Sequence, residues 1–210
     1  MRLDIIMQLK IVIIVFLFGI IPAYNSVAGS SPSRVIDEFH EALLSVMKKS
    51  KTLSGRERYK KLEPALDRAF KFDFMIKLAT GSAWRKASKK DKSDLTQAFR
   101  RMSIATYAYR FKGYSGQQFH TIKATPSVRK TNLVFTQIVL PKINKEDEII
   151  KLTYVIKQFG DVWKIIDILL DGGISELSVK YSEYRAILKT NGPSSLAQKL
   201  NKKADELIMD

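Results

Sequence analysis

The segment that most restricts the fold is WKIIDILL, residues 163–170. Trp163, Ile165 and Leu169 fall on one alternating set and Ile166, Ile168 and Leu170 on the other, with Asp167 among them. Successive side chains of a strand point to opposite faces of its sheet, so a strand of this kind has no obvious water-facing side. Three more extended runs precede it, at 118–125, 128–140 and 148–159, separated by Pro126, by Pro141-Lys142-Ile143-Asn144 and by Gly160-Asp161. Gaps this short favour an antiparallel meander over crossover connections. In 128–140 one set holds Val128, Val134, Ile138 and Leu140, the other Leu133, Phe135 and Val139. In 148–159 one set holds Ile149 and Val155, the other Ile150, Leu152, Tyr154 and Ile156, with Lys151, Thr153 and Lys157 the polar interruptions. The second face of the sheet is therefore at least half apolar. Either helices pack on both faces, or sheet and helices fail to close and leave an apolar cavity lined by both.

Helical periodicity flanks the sheet on both sides. Val35, Ile36, Phe39, Leu43, Leu44 and Met47 mark an amphipathic helix with Ser33 as its expected cap. A basic loop, KKSKTLSG, ends it. A second helix is expected over 56–70, interrupted near Pro64, and a short third over 73–79, stopped by Gly81. Ser88, with Asp91 three residues on, resembles a capping box opening a helix whose face carries Leu95, Ala98, Phe99, Met102, Ala105 and Tyr109. After the sheet, Ser175 is a candidate cap for a helix that Asn191-Gly192 ends, and Pro193 suits the first turn of a last one. Helices, sheet, helices make an α+β domain, a twisted antiparallel sheet of about four strands packed with N- and C-terminal helices.

Arg2 and Lys10 flank the apolar run 11–21, Pro22 breaks it, and Ser26-Val27-Ala28 offers small residues where a signal peptidase reads. Residues 1–28 are expected to be a cleaved signal peptide, with Met1 or Met7 as the start, and 29–210 one domain. The chain has no cysteine, which removes disulfides, thiolate catalysis and cysteine-ligated zinc. Its formal charge is +15, or +14 once Arg2, Lys10 and Asp4 are gone. For an exported protein that excess points to membrane surfaces or acidic proteins and away from nucleic acid. The cations come in clumps: Lys48, Lys49 and Lys51; Arg56, Arg58, Lys60 and Lys61; Lys86, Lys89, Lys90 and Lys92. The plain reading of each clump is a solvated helix face or loop end.

Catalytic signals are weak. The two histidines, His40 and His120, read as packing or surface residues, and no metal-binding spacing, nucleophile elbow, dinucleotide turn or P-loop occurs. Asp73 and Asp167 could act as bases in a pocket, but a helix cap and a strand-end carboxylate explain them at less cost. No cofactor and no metal are expected, and the chain reads as a non-enzyme.

Three ordered segments carry a resemblance: FDFMIKLATGSAWRKAS (72–88), LTQAFRRMSIATYAYRFKGYSGQQF (95–119) and WKIIDILLDGGISELSVKYSEYRAILKTNGPSSLAQKL (163–200). Together they resemble the exported Mla-pathway phospholipid carriers, also called toluene-tolerance auxiliary proteins. Tyr181-Ser182-Glu183-Tyr184-Arg185 is similar to the pattern of their hopanoid-associated HpnM branch. The resemblance implies a periplasmic shuttle for a phospholipid or hopanoid-like lipid, with the apolar cavity between twisted sheet and helices. Its implied partners are the lipid, inner- and outer-membrane lipid transport complexes of the ABC-transporter type that maintain outer-membrane lipid asymmetry, and, transiently, membrane surfaces.

Tyr107, Phe111, Tyr114 and Phe119, near the helix-to-sheet junction, are candidates for the cavity and its rim, with Met102 on the same helix. Phe135, Tyr154, Ile156, Trp163 and Ile165 join them from the sheet, and Arg110 is the candidate headgroup or mouth residue because it interrupts TYAYRF. Each of these has a core-packing or surface explanation too. Two other functions compete: a small exported enzyme using Asp167 or Asp73 as base in an apolar pocket, and an envelope adaptor that holds no ligand.

Overall fold

A computed structural model describes residues 31–143, 145–170 and 173–209. The expected signal peptide, residues 1–28, lies outside the described residues. Helix α1 is Pro32–Lys48, followed by a 3₁₀ turn at Ser50–Thr52. Then come α2 (Gly55–Ala69), α3 (Phe72–Thr80), the single-turn α4 (Ser82–Lys86) and α5 (Lys89–Arg110). The sheet follows as β1 (Gln118–Ser127), β2 (Thr131–Leu140), β3 (Glu148–Phe159), β4 (Val162–Leu170) and the two-residue β5 (Ile174–Ser175), and α6 (Glu176–Met209) closes the chain. The strands lie in chain order, each antiparallel to its neighbour. This is the α+β architecture that the alternation of patterns implies.

Local chemistry explains the helix ends. Ser88 and Asp91 form the reciprocal capping box at the start of α5, and Ser54 and Glu57 form a second one on α2. The cap of α1 is Ser31 and not Ser33, because Pro32 takes the first helical position, where its missing N–H costs nothing. Contrary to the expected interruption, α2 runs unbroken through Pro64. That proline is exposed, and so is Lys60, whose carbonyl it leaves without an intrahelical partner. Gly81 (φ +54°) ends α3, and α6 bends at Gly192 (φ +74°) ahead of Pro193.

The first hairpin turns at Val128–Thr131, later than Pro126 suggested, so β2 starts at Thr131. Arg129 and Lys130 both have positive φ, the two-residue geometry that matches strand twist. Pro126 instead sits within β1, an edge strand, where a missing N–H is tolerated.

The core lies between the helices and one face of this sheet. Val134 on β2, Tyr154 and Ile156 on β3, and Ile165 and Ile168 on β4 are buried there with Ile36, Phe39, Leu43, Leu66 and Phe99 from the helices. Strict alternation would put Ile165 and Ile168 on opposite faces. A bulge between Val155 and Ile156, opposite 165–167, shifts the register so that both point inward. Lys164 donates to the Asp67 and Arg68 carbonyls at the end of α2 (3.0 and 2.6 Å). Asp167 accepts from the Ser175 hydroxyl (2.5 Å) and from the backbone N–H groups of Ile168 and Leu177 (2.8 and 3.1 Å), anchoring the start of α6. Both charged residues of the opening strand are thus helix-end partners. Arg58, one of the clumped cations, is buried and not on a solvated face. It donates to the carbonyls of Ala108 (3.0 Å) and Leu53 (2.7 Å), tying α2 to the last turn of α5.

Candidate functional site

The helices cover one face of the sheet and leave the middle of the other open, so of the two alternatives, helices on both faces does not hold. On β2 the uncovered set is Leu133, Phe135, Gln137 and Val139, paired with Val155, Thr153, Lys151 and Ile149 of β3. Ile122, in the β1 bulge, and Leu169 of β4 extend the same surface. Together they form a trough of about 500 Å³ with Leu133, Phe135 and Leu169 in its wall and Lys123 and Lys151 among its lining. Lys123 lies over the Phe135 ring, its Nζ 5.0 Å from the centroid, so the aliphatic stem covers aromatic surface while the charge stays at the rim. A volume of this size is within the range of small-ligand pockets.

A second hollow of about 450 Å³ lies where Leu78 of α3 and Leu177 and Tyr181 of α6 meet Val155 and Ile166. Ile166, the extra residue of the bulge, and Asp167 are what β4 contributes there.

The other side of the sheet is packed. Tyr107 stacks on Phe111 (5.8 Å between centroids) and meets Phe39 edge-on (5.3 Å); Phe111 and His40 both contact Phe119 (6.1 and 4.7 Å). His40 Nε2 is 2.9 Å from the Tyr154 hydroxyl. Burial holds the His40 imidazole neutral, lowering its pKa to about 4, and raises the pKa of Tyr107 and Tyr154. A cleft of about 40 Å³ is lined by Met102, Tyr107, Arg110 and Glu176 among others. Arg110 Nη1 stands 3.5 Å from Glu176 Oε1 across it.

The structure therefore gathers most of the residues singled out from sequence, though in a filled layer. Met102, Tyr107 and Arg110 share the narrow cleft; Phe111, Phe119, Tyr154, Ile156, Trp163 and Ile165 pack in or against the core behind it. Phe135 alone of the set lines the open trough. Tyr114 stands apart at the surface, 40% exposed, under the Lys48 ammonium. Ile122, Leu133 and Leu169 are the trough residues not singled out. Leu133 belongs to the second apolar set of β2 and Leu169 to one of the two apolar sets of β4, but nothing in the sequence marks which set the helices cover, and nothing marks Ile122 as the bulged residue of β1.

Among the described residues there is no group of three or more His, Asp or Glu side chains placed to hold a metal. Asp167 has its oxygens engaged by three donors, and Asp73 is exposed, paired with Lys71 and bonded to the next backbone N–H. Asp167 does line the hollow between β4 and α6, but with these three donors on its oxygens, and Asp73 lies at the surface in its ion pair.

These features define a class of α+β protein in which helices back one face of an open antiparallel meander and an apolar trough occupies the other. The family model described as MlaC protein matches residues 37–202, and the chain belongs to this family. Its fold is similar to that of a phospholipid-binding protein from Ralstonia solanacearum, solved in complex with a phospholipid. The TM-score is 0.66 at 16% identity, over 82% of this chain and 96% of that one. A search of curated proteins finds no match.

Proposed function

We propose that this chain is a lipid-binding carrier of the MlaC family, exported by a cleaved signal peptide and working in the periplasm between envelope membranes or their transport complexes. The observation that carries this reading is the uncovered trough, because an apolar face with Phe135, Leu133 and Leu169 in its wall is otherwise left to water. Each methylene of an acyl chain moved there from water contributes roughly 0.8 kcal/mol, enough to hold a chain without a covalent bond. The likeness to a phospholipid-bound fold supports the ligand class. The HpnM-like Tyr181–Arg185 segment favours a hopanoid-like lipid as the alternative cargo. The engaged state of Asp167 and Asp73 weighs against the enzyme reading.

A second seat for the chain is the layer between helices and sheet, favoured by the cleft at Met102, Tyr107 and Arg110. Entry there requires the Arg110–Glu176 pair to part. Arg110 is largely exposed, so that pair contributes at most about 1 kcal/mol and is easily opened. The exposed basic clumps would serve transient docking to anionic membranes or acidic partners, weakening as salt is raised.

The test is mass spectrometry of organic extracts from protein purified without detergent from its native envelope. A near-stoichiometric phospholipid or hopanoid supports the carrier and names its cargo. An empty, stable, monodisperse protein contradicts it and favours the ligand-free adaptor.

A further inference from the structure

We infer that the hollow between the α3–α4 corner and the first half of α6 is a binding site for a phosphate group. Tyr181, Arg185, Leu188 and Lys189 fall at helical spacing on one face of α6 and form one wall. Ala79, Ser82 and Ala83, side chains too short to fill the gap, line it from the α3–α4 corner together with Lys86. The space left is about 450 Å³.

Charge identifies what the hollow accepts. Lys86, Arg185 and Lys189 all line it, and no carboxylate does. None of the three has an ion-pair partner among the described residues, whereas Arg100 and Arg101 are pinned to Asp67, Glu63 and Asp205. Three cations around one cavity repel one another unless an anion sits between them. A guanidinium with two ammonium groups suits a phosphate, whose oxygens accept the Arg fork while the lysines neutralise charge.

The anion would not be a bare ion if it arrives on an amphiphile. The Tyr181 ring lines both this hollow and the apolar one beside Leu78 and Leu177, so a cationic compartment and an apolar one share a wall. That wall is built in: Gly81 has φ +54°, and a Cβ there would lie 2.7 Å from the Tyr181 ring. The inference extends the carrier reading by naming the anionic end of its ligand, and it can fail while that reading stands.

The experiment titrates the protein, stripped of lipid, with inorganic phosphate, glycerol 3-phosphate and dihexanoyl phosphatidylglycerol below its micellar concentration. Binding is followed by calorimetry and by the backbone amide signals of Ala83 and Tyr181. The double variant R185Q/K189Q is run in parallel, its folding checked by thermal denaturation, and a neutral naphthylamine dye reports separately on the apolar trough. Binding of the short-chain lipid at least tenfold tighter than phosphate, shifting both amides and lost at least tenfold in the variant, supports a lipid headgroup site. Equal binding of all three ligands, lost in the same variant, supports the phosphate site with a free phosphate as its source. Unchanged affinity in the variant, unshifted amides, or affinity for an oligoglutamate peptide alone overturns the inference. Dye binding retained in R185Q/K189Q leaves the carrier reading intact whichever result is found.

Discussion

The two faces of the sheet are made from the same kinds of residue and do different things. On the inner face Val134, Tyr154 and Ile156 are at most 2% exposed and meet helices; on the outer face Leu133 and Phe135 are half-buried and line the open trough. Apolar content alone does not make a core. What separates the faces is which of them the helices reach, and the uncovered one keeps apolar surface available for a guest.

Five substitutions or conditions would break or sharpen that contrast. The largest effect belongs to the inner face: Ile156→Ala removes a fully buried side chain and should cost about 2–5 kcal/mol in urea unfolding. Acid comes next. His40 is neutral when folded, with its pKa lowered to about 4, and takes up a proton near 6.5 when unfolded. The unfolded state therefore binds more protons between those values. Stability should be full above about pH 6.5 and fall by on the order of 3 kcal/mol as pH drops to about 4, a slope that His40→Gln flattens. Gly81→Ala forces a side chain into a backbone conformation reserved for glycine and against the Tyr181 ring. A loss of about 1–3 kcal/mol is expected in the same assay. Ser88→Ala removes one half of the α5 capping box and should cost about 1 kcal/mol. The smallest stability effect falls on the outer face, where Phe135→Ser should change unfolding by about 1 kcal/mol or less while reducing bound lipid severalfold.

Much of the fold was legible in the sequence because its signals are local. The Ser88–Asp91 capping box, the Gly160-Asp161 turn and the stop at Gly81 each act within a few residues. The hairpin at Arg129 and Lys130 was not legible, since neither residue type announces positive φ. The assignment of faces was harder still. On β3 the polar set with Lys151, Thr153 and Lys157 points outward as patterning suggests. On β2 the inner set contains Thr136, whose hydroxyl is satisfied by the Leu152 carbonyl, and the outer set contains Phe135. On β4 the bulge splices the two apolar sets, so a strand apolar on both alternating sets sends Trp163, Ile165, Ile168 and Leu170 toward the helices. The candidate site suffered most from this. Aromatic residues near the helix-to-sheet junction were visible, but the trough depends on register across four strands, which no single stretch encodes.

The central claim is that the uncovered face carries the lipid, and its most direct test is native mass spectrometry of Phe135→Asp beside the wild-type chain, both purified from the envelope without detergent. A charge in the trough should empty it, leaving a protein that is still folded by circular dichroism and carries less than a tenth of the wild-type lipid. Equal lipid on both proteins would contradict the claim and move the chain binding site to the layer behind Arg110 and Tyr107.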